Sequence, residues 1–151
     1  MKLSLAHITH RKSAPKSEPS ELLTQQFAQR CTQYSPLELL AMPTEAALLA
    51  ATDRQPGRPA ASLILFDSRG DLATSESFAS YIGKLRDTGA QRILFAIGPA
   101  DGWSPAALAR AARSFSFGRI TLPHELARTI AAEQIYRALT ILAGHPYHSG
   151  H

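Results

Sequence analysis

Along residues 2–8, KLSLAHI, polar and apolar side chains alternate, the period-two pattern of a strand. The period changes after Ser20: in ELLTQQFAQRC, Leu23 and Phe27 stand four apart with Arg30 nearby, which predicts a helix. LELLAM, 37–42, reads as a short apolar strand, and the stretch after it is divided, EAALLAA favouring a helix and DRQPGRPA a loop. ASLILFD, 61–67, predicts a strand ending in an acid, with SRGD as the turn that follows. In SESFASYIGKLRDTG, 75–89, Phe78, Ile82 and Leu85 share one helical side and Gly89 supplies a terminator. RILFAIG, 92–98, is a second strong strand. In SPAALARAARSF, 104–115, Ser104 is placed to cap a helix and Pro105 to occupy its first turn. LPHELARTIAAEQIYRALTIL again begins a helix with proline, and Ala127, Ala131, Ile135, Ala138 and Leu142 form its small-apolar seam.

Strands that alternate with helices predict an α/β sandwich, a largely parallel sheet with helices on both faces. The 151 residues suffice for one complete core, so a single domain over 1–151 is expected. No segment approaches the roughly 20 apolar residues of a membrane span, and the start, MKLSLAHITHRK, breaks its apolar run before reaching the length of a signal-peptide core. A cytoplasmic location without membrane association follows as the default. Cys31 is the sole cysteine, which excludes an intrachain disulfide and a thiolate zinc cluster.

Charge adds a direction. Sixteen Lys plus Arg against twelve Asp plus Glu give +4, a surplus that permits nucleic-acid binding and equally serves solubility. Lys2, Arg11, Lys12 and Lys16 face only Glu18 among the acidic residues of the first twenty positions. The basic loop 9–20 is either a phosphate contact or a solvent-facing connector.

Three places can carry chemistry. The loop GPADGWSP, 98–105, sets Gly98 after an apolar strand and Gly102 before a capped helix, so backbone there can approach a ligand or simply turn tightly. It lacks the dinucleotide glycine spacing, and the chain has no phosphate loop. Its Asp101 can hold a ligand or the loop, and its Trp103 can act as a lid or pack. RSFSFGRITLPHELAR, 113–128, places His124 and Arg128 four apart on a helix, suited to a polar substrate or to a packed histidine beside a surface arginine. Glu133 and Arg137 repeat that spacing as a stabilising pair. The end, HPYHSGH, has three histidines, but Gly, Pro and Ser interrupt it, no HExxH motif exists and no clustered carboxylate accompanies it, so a metal is not expected. Tyr147 and His148 serve a pocket only if the tail is ordered.

Together GPADGWSP, SFSFGRITLPHELAR, IAAEQIYRALTI and the terminal HPYH resemble the small SPOUT methyltransferases that methylate a pseudouridine of large-subunit ribosomal RNA. The resemblance is dense over 61–148 and weaker before it. It implies an α/β SPOUT fold with a deep C-terminal trefoil knot, a homodimer, and S-adenosylmethionine as methyl donor to N3 of a pseudouridine in the assembled ribosome; DNA is not an expected partner. Carried onto this chain, it implies a cofactor site of Phe66, Gly98 and the backbone of Phe117, Gly118, Arg119, Ile120, Thr121 and Leu122. It puts His124 and Arg128 near the reactive centre, with Tyr147 and His148 as terminal contacts. Arg11, Lys12 and Lys16 become candidate RNA contacts. Two departures stand out: Pro99 replaces a glycine common in this group, and the tail lacks the basic residue that commonly follows HPYH. They keep open a protein that holds the fold and binds RNA without turnover, or one that methylates another RNA.

Overall fold

All six residues of RILFAI are buried, which marks that strand as the middle of the sheet. The computed structural model describes residues 1–9 and 18–149. In chain order the elements are β1 (Lys2–Ile8), α1 (Pro19–Cys31), β2 (Leu37–Met42), α2 (Glu45–Thr52), β3 (Ser62–Leu72), α3 (Ser75–Asp87), β4 (Arg92–Ile97), α4 (Pro105–Arg110), β5 (Arg113–Ser116) and α5 (His124–Leu142). A 3-10 turn, Pro146–His148, follows α5. The sheet runs in the order β2-β1-β4-β3-β5, and all four pairings are parallel.

The period-two alternation of the strands divides the core between the two faces. Leu3, Leu5, Ile64, Phe66, Ile93, Phe95 and Ile97 pack with residues of α1, α3 and α5. Ala6, Leu63, Leu65, Leu94 and Ala96 pack with Leu48 of α2, Ala107 of α4 and Trp103. The expected three-layer architecture is therefore present. Within α5, Ala131, Ile135 and Ala138 are buried, and Ala127 and Leu142 are partly so, which realises the seam read from the sequence. Cys31 is also core: it is fully buried, and burial pushes its thiol up to about 12.

Local chemistry sets most boundaries. The hydroxyls of Thr44, Thr74 and Ser104 accept from the backbone N–H of Ala47, Ser77 and Ala107 at 3.0, 3.1 and 3.2 Å, each a helix start worth about 1 kcal/mol. EAALLAA, which favours a helix in the sequence, is the body of α2.

Two expectations are corrected. SRGD is not a turn: β3 continues through it to Leu72, with a register shift in which Phe66 and Asp71 both stand opposite Phe115. Gly70 permits this, since a β-carbon there would lie 2.7 Å from the Phe115 backbone carbon. Nor does the helix after Ser104 reach Phe115. It stops at Arg110, Ala111 turns extended, and the Ala112 N–H donates to the Leu63 carbonyl at 2.8 Å, opening a fifth strand beside β3.

Candidate active site

The carboxyl ends of parallel strands are where ligands bind in open α/β sheets. Here β4 ends at Ile97 and β5 at Ser116, and between them Phe66 joins the two loops that follow. The Trp103 indole N–H, from the loop after β4, donates to the buried Phe66 carbonyl at 3.0 Å. From the loop after β5, the Phe117 ring stacks on the Phe66 ring, 4.6 Å between centroids and 20° from parallel. Gly98 lies against the Trp103 indole, so the absent side chain makes room for that ring. Phe66, Gly98 and Phe117 are thus assembled at one edge.

The loop 117–123 is open backbone. Gly118 has φ +119°, a left-handed conformation that favours glycine, and Ser116 Oγ both accepts from its N–H at 3.1 Å and donates to its carbonyl at 2.9 Å. Ile120 is 82% exposed. Among the described residues, 119–122 form no backbone–backbone hydrogen bond, which leaves main-chain donors and acceptors for a planar base.

That loop delivers the chain to His124, the first residue of α5. A cavity of about 1020 Å³ opens there between α1, α5 and the ends of β1 and β2, lined by His7, Glu21, His124 and Arg128 among others. Arg128 is buried and forms a short ion pair with Glu21, 107 residues earlier. Burial alone would raise the Glu21 carboxyl, but hydrogen bonds from Gln25 and Arg128 hold it below its ordinary range. Beside that pair, the Thr24 and Thr129 hydroxyls share a buried hydrogen bond of 2.8 Å. The spacing of His124 and Arg128 did place both on this cleft, but the guanidinium is committed to Glu21 rather than exposed for phosphate.

Tyr147 and His148 occupy a different place. The Tyr147 hydroxyl donates to Glu133 at 2.9 Å and its ring meets the Tyr136 ring edge-on at 4.7 Å. Glu133 also accepts from Arg137 at 2.6 Å; Arg137 lies over the Tyr147 ring and reaches His148 Nδ1 at 2.9 Å. His148 Nε2 meets Glu76 at the start of α3 at 2.8 Å. The Glu133–Arg137 pair, read only as helix stabilisation, is thus the seat of the tail. His145 accepts from the Tyr147 N–H at 3.1 Å, so His145 and His148 have separate partners. From His124 to Glu133 is nine residues, about 13 Å of helix. Within one chain, His124 and Arg128 are therefore apart from Tyr147 and His148. Arg11, Lys12 and Lys16 lie outside the described residues.

Sequence reasoning missed His7 and Glu21 entirely, and left Trp103 undecided between lid and packing. No local signal marks the first two, because their partners, His124 and Arg128, are brought by α5 from the far end of the chain.

The chain is similar in sequence and in fold to known proteins. A family model described as "Predicted SPOUT methyltransferase" matches residues 1–148. The chain is 47% identical over 136 residues to Ribosomal RNA large subunit methyltransferase H of Koribacter versatilis, covering 90% of this chain and 92% of that protein. The protein of the same name from Methylocella silvestris is 53% identical over 90 residues, 60% of this chain and 56% of that one. Among solved structures, the SpoU methyltransferase AviRb of Streptomyces viridochromogenes, in complex with AdoMet, aligns with a TM-score of 0.54 at 12% identity, over 95% of this chain and 59% of that one. A probable methylase family protein from Haemophilus influenzae aligns with a TM-score of 0.54 at 9% identity, over 98% and 70%. At such identities the structural likeness speaks to the fold.

Proposed function

Since the chain belongs to the SPOUT methyltransferase family, we propose that it methylates large-subunit ribosomal RNA, transferring a methyl group from S-adenosylmethionine to N3 of a pseudouridine. The observation that carries this reading is the convergence on Phe66: Trp103 beside Gly98 bonds its carbonyl, Phe117 stacks on its ring, and the loop they frame runs directly into His124.

The residues fit the cofactor. Aromatic surface at Phe66 and Phe117 faces an open stretch, 117–122, whose main-chain groups are free to read an adenine edge. S-adenosylmethionine supplies an electrophilic methyl on sulfur; the protein's task is to hold the acceptor nitrogen in line with it and to exclude water. N3 of a neutral pseudouridine carries hydrogen, so its proton must leave as the N–C bond forms, and an imidazole in the cleft is suited to receive it. His124 is that residue in this reading, while Arg128, always charged, binds oxygen instead.

The tail serves the same reaction from a partner. Tyr147 and His148 lie too far from His124 within one chain, and a homodimer brings one protomer's tail toward its partner's cleft. Leu23 and Leu126, 42% and 48% exposed at the cavity rim, supply apolar surface for such an interface. The family's knotted C-terminal path anchors the end that does this work. Arg11, Lys12 and Lys16 are candidate contacts for ribosomal RNA phosphates. The setting is the cytoplasm, and among the described residues no helix is long and apolar enough to cross a membrane.

The test is to incubate the protein and labelled S-adenosylmethionine with free ribosomal RNA, separate subunits and assembled ribosomes, then digest the RNA and locate the label. Label at N3 of one large-subunit pseudouridine is expected. Label only at another nucleoside, or none with any substrate, overturns the assignment.

A further inference from the structure

Among the described residues, three buried side-chain nitrogens have no hydrogen-bond partner: His7 Nδ1, His124 Nε2 and Arg128 Nε. All three belong to residues lining the one cavity between α1 and α5. Buried polar groups in folded proteins are almost always paired, and leaving one unpaired typically costs about 1–3 kcal/mol. Three such atoms on one cavity are the mark of a polar occupant. The His7 and His124 rings stand 5.9 Å apart, close enough for one planar ligand to touch both.

The electrostatics select the class of occupant. Arg128 is neutralised by Glu21. His7 is held below its ordinary value by burial, then by Arg128 and His124, against a hydrogen bond to the Leu40 backbone and the pull of Glu21. With Arg128 paired to Glu21 and His7 biased toward its neutral form, these residues disfavour a phosphate and favour a neutral edge of donors and acceptors. In the tautomer that carries its proton on Nε2, the unpartnered His7 Nδ1 is an acceptor. Arg128 Nε–H is a fixed donor.

We propose that His7 is a specificity residue that reads the N1–H of pseudouridine, with Arg128 Nε donating to the neighbouring C2 carbonyl. This rests on the methyltransferase reading above and adds to it a reason for substrate choice. Pseudouridine is joined to its ribose through C5, which leaves N1 with a hydrogen; in uridine that nitrogen carries the glycosidic bond and has none to give. N1–H, C2=O and N3–H follow one another along one edge of the base. An acceptor at His7 and a donor at Arg128 engage the first two and leave N3 on the side of His124. No bond is made or broken at His7.

The experiment measures binding and turnover separately. Protein saturated with S-adenosylhomocysteine is titrated with pseudouridine 5′-monophosphate, uridine 5′-monophosphate and inorganic phosphate while the imidazole nitrogen signals of His7 and His124 are followed. Pseudouridine monophosphate is expected to move both signals and to bind about five- to tenfold more tightly than uridine monophosphate, the value of one neutral hydrogen bond. His7→Ala abolishes that preference; His7→Gln, whose side-chain oxygen also accepts, restores part of it and controls for folding. On ribosomes, His7→Ala raises KM with a smaller change in kcat. Equal binding of the two nucleotides by the wild type, or a His7 signal that responds to phosphate alone, overturns the proposal, and so does a His7→Ala variant that changes only the monomer–dimer balance. In those cases wild-type turnover on ribosomes still upholds the methyltransferase reading; loss of that turnover with the nucleotide preference intact removes the reading and leaves the pocket.

Discussion

A β-carbon on Gly98 would lie 2.8 Å from both Nε1 and Cε2 of Trp103, so the loop after β4 is shaped by an indole laid on a glycine. The same indole N–H holds the Phe66 carbonyl, and thereby ties position 98 to the ring on which Phe117 stacks. Gly98→Val is expected to expel Trp103 from the core, at a cost of about 1–3 kcal/mol for overpacking, and to weaken S-adenosylmethionine binding at least tenfold. Titration calorimetry with a parallel thermal melt checks this. Trp103→Phe keeps an aromatic but smaller ring and removes the N–H from the buried Phe66 carbonyl, and should cost about 1–3 kcal/mol. Unchanged cofactor affinity in a folded Gly98→Val protein would remove position 98 from the site.

The strand pair β3–β5 permits a second test. At Gly70 an added methyl meets the Phe115 and Ser114 backbones at 2.7–2.8 Å, and backbone cannot rotate aside as a flexible side chain can. Gly70→Ala is expected to destabilise the protein by about 2 kcal/mol or more and to raise amide exchange selectively in Arg113–Ser116, because only β3 pairs with β5. Cofactor binding should fall with it, since β5 carries the loop at 117–122. Uniform exchange changes across the sheet would contradict that local account.

Much of this fold is legible in the chain, and the exceptions have physical causes. β1 and β2 coincide with the segments read from alternation and apolar runs, and α3 with a period that Thr74 and Gly89 punctuate. SRGD carries turn residues, yet it extends a strand because pairing with β5, invisible locally, claims its backbone. ARAARSF has helical composition but is drawn extended where Ala112 finds Leu63. For the site, a resemblance selects Phe66, Phe117 and His124, and the structure assembles the first two. His7 and Glu21 escape notice because a histidine in a strand and a glutamate in a first helical turn are ordinary residues until α5 packs beside them.

The tail is held by polar contacts to two helices, Glu133 and Arg137 of α5 and Glu76 of α3, together with the Tyr136 ring. None of the residues in the 3-10 turn is fully buried, and among the described residues the partly buried Tyr147 ring is its one contact with the core. Truncation after Gly144 should therefore lower Tm by only a few degrees while turnover drops about tenfold or more, the equivalent of ~1.4 kcal/mol in the transition state. Glu133→Gln, which weakens the seat without removing the tail, should give an intermediate loss. Calorimetry and single-turnover assays separate the two effects, and full activity in a folded truncation would take Tyr147 and His148 out of the reaction.

Acid should destabilise the protein in two separable steps. His7 has a folded value below its ordinary 6.5, set first by burial, so between those two values the unfolded chain binds more protons than the folded one. Stability therefore rises with pH through that window and is fully present only above about 6.5. Glu21 is also held below its ordinary 4.5, by hydrogen bonds that outweigh burial, and adds a second loss as pH falls below that value. Denaturant titrations from pH 8 to pH 3 should show both losses. His7→Gln should abolish the step below 6.5 and leave the step below 4.5, whereas Glu21→Gln should flatten the lower step while removing a buried partner from Arg128. If the upper step survives in His7→Gln, some other histidine carries it, and the neutral character assigned to the cleft loses its support.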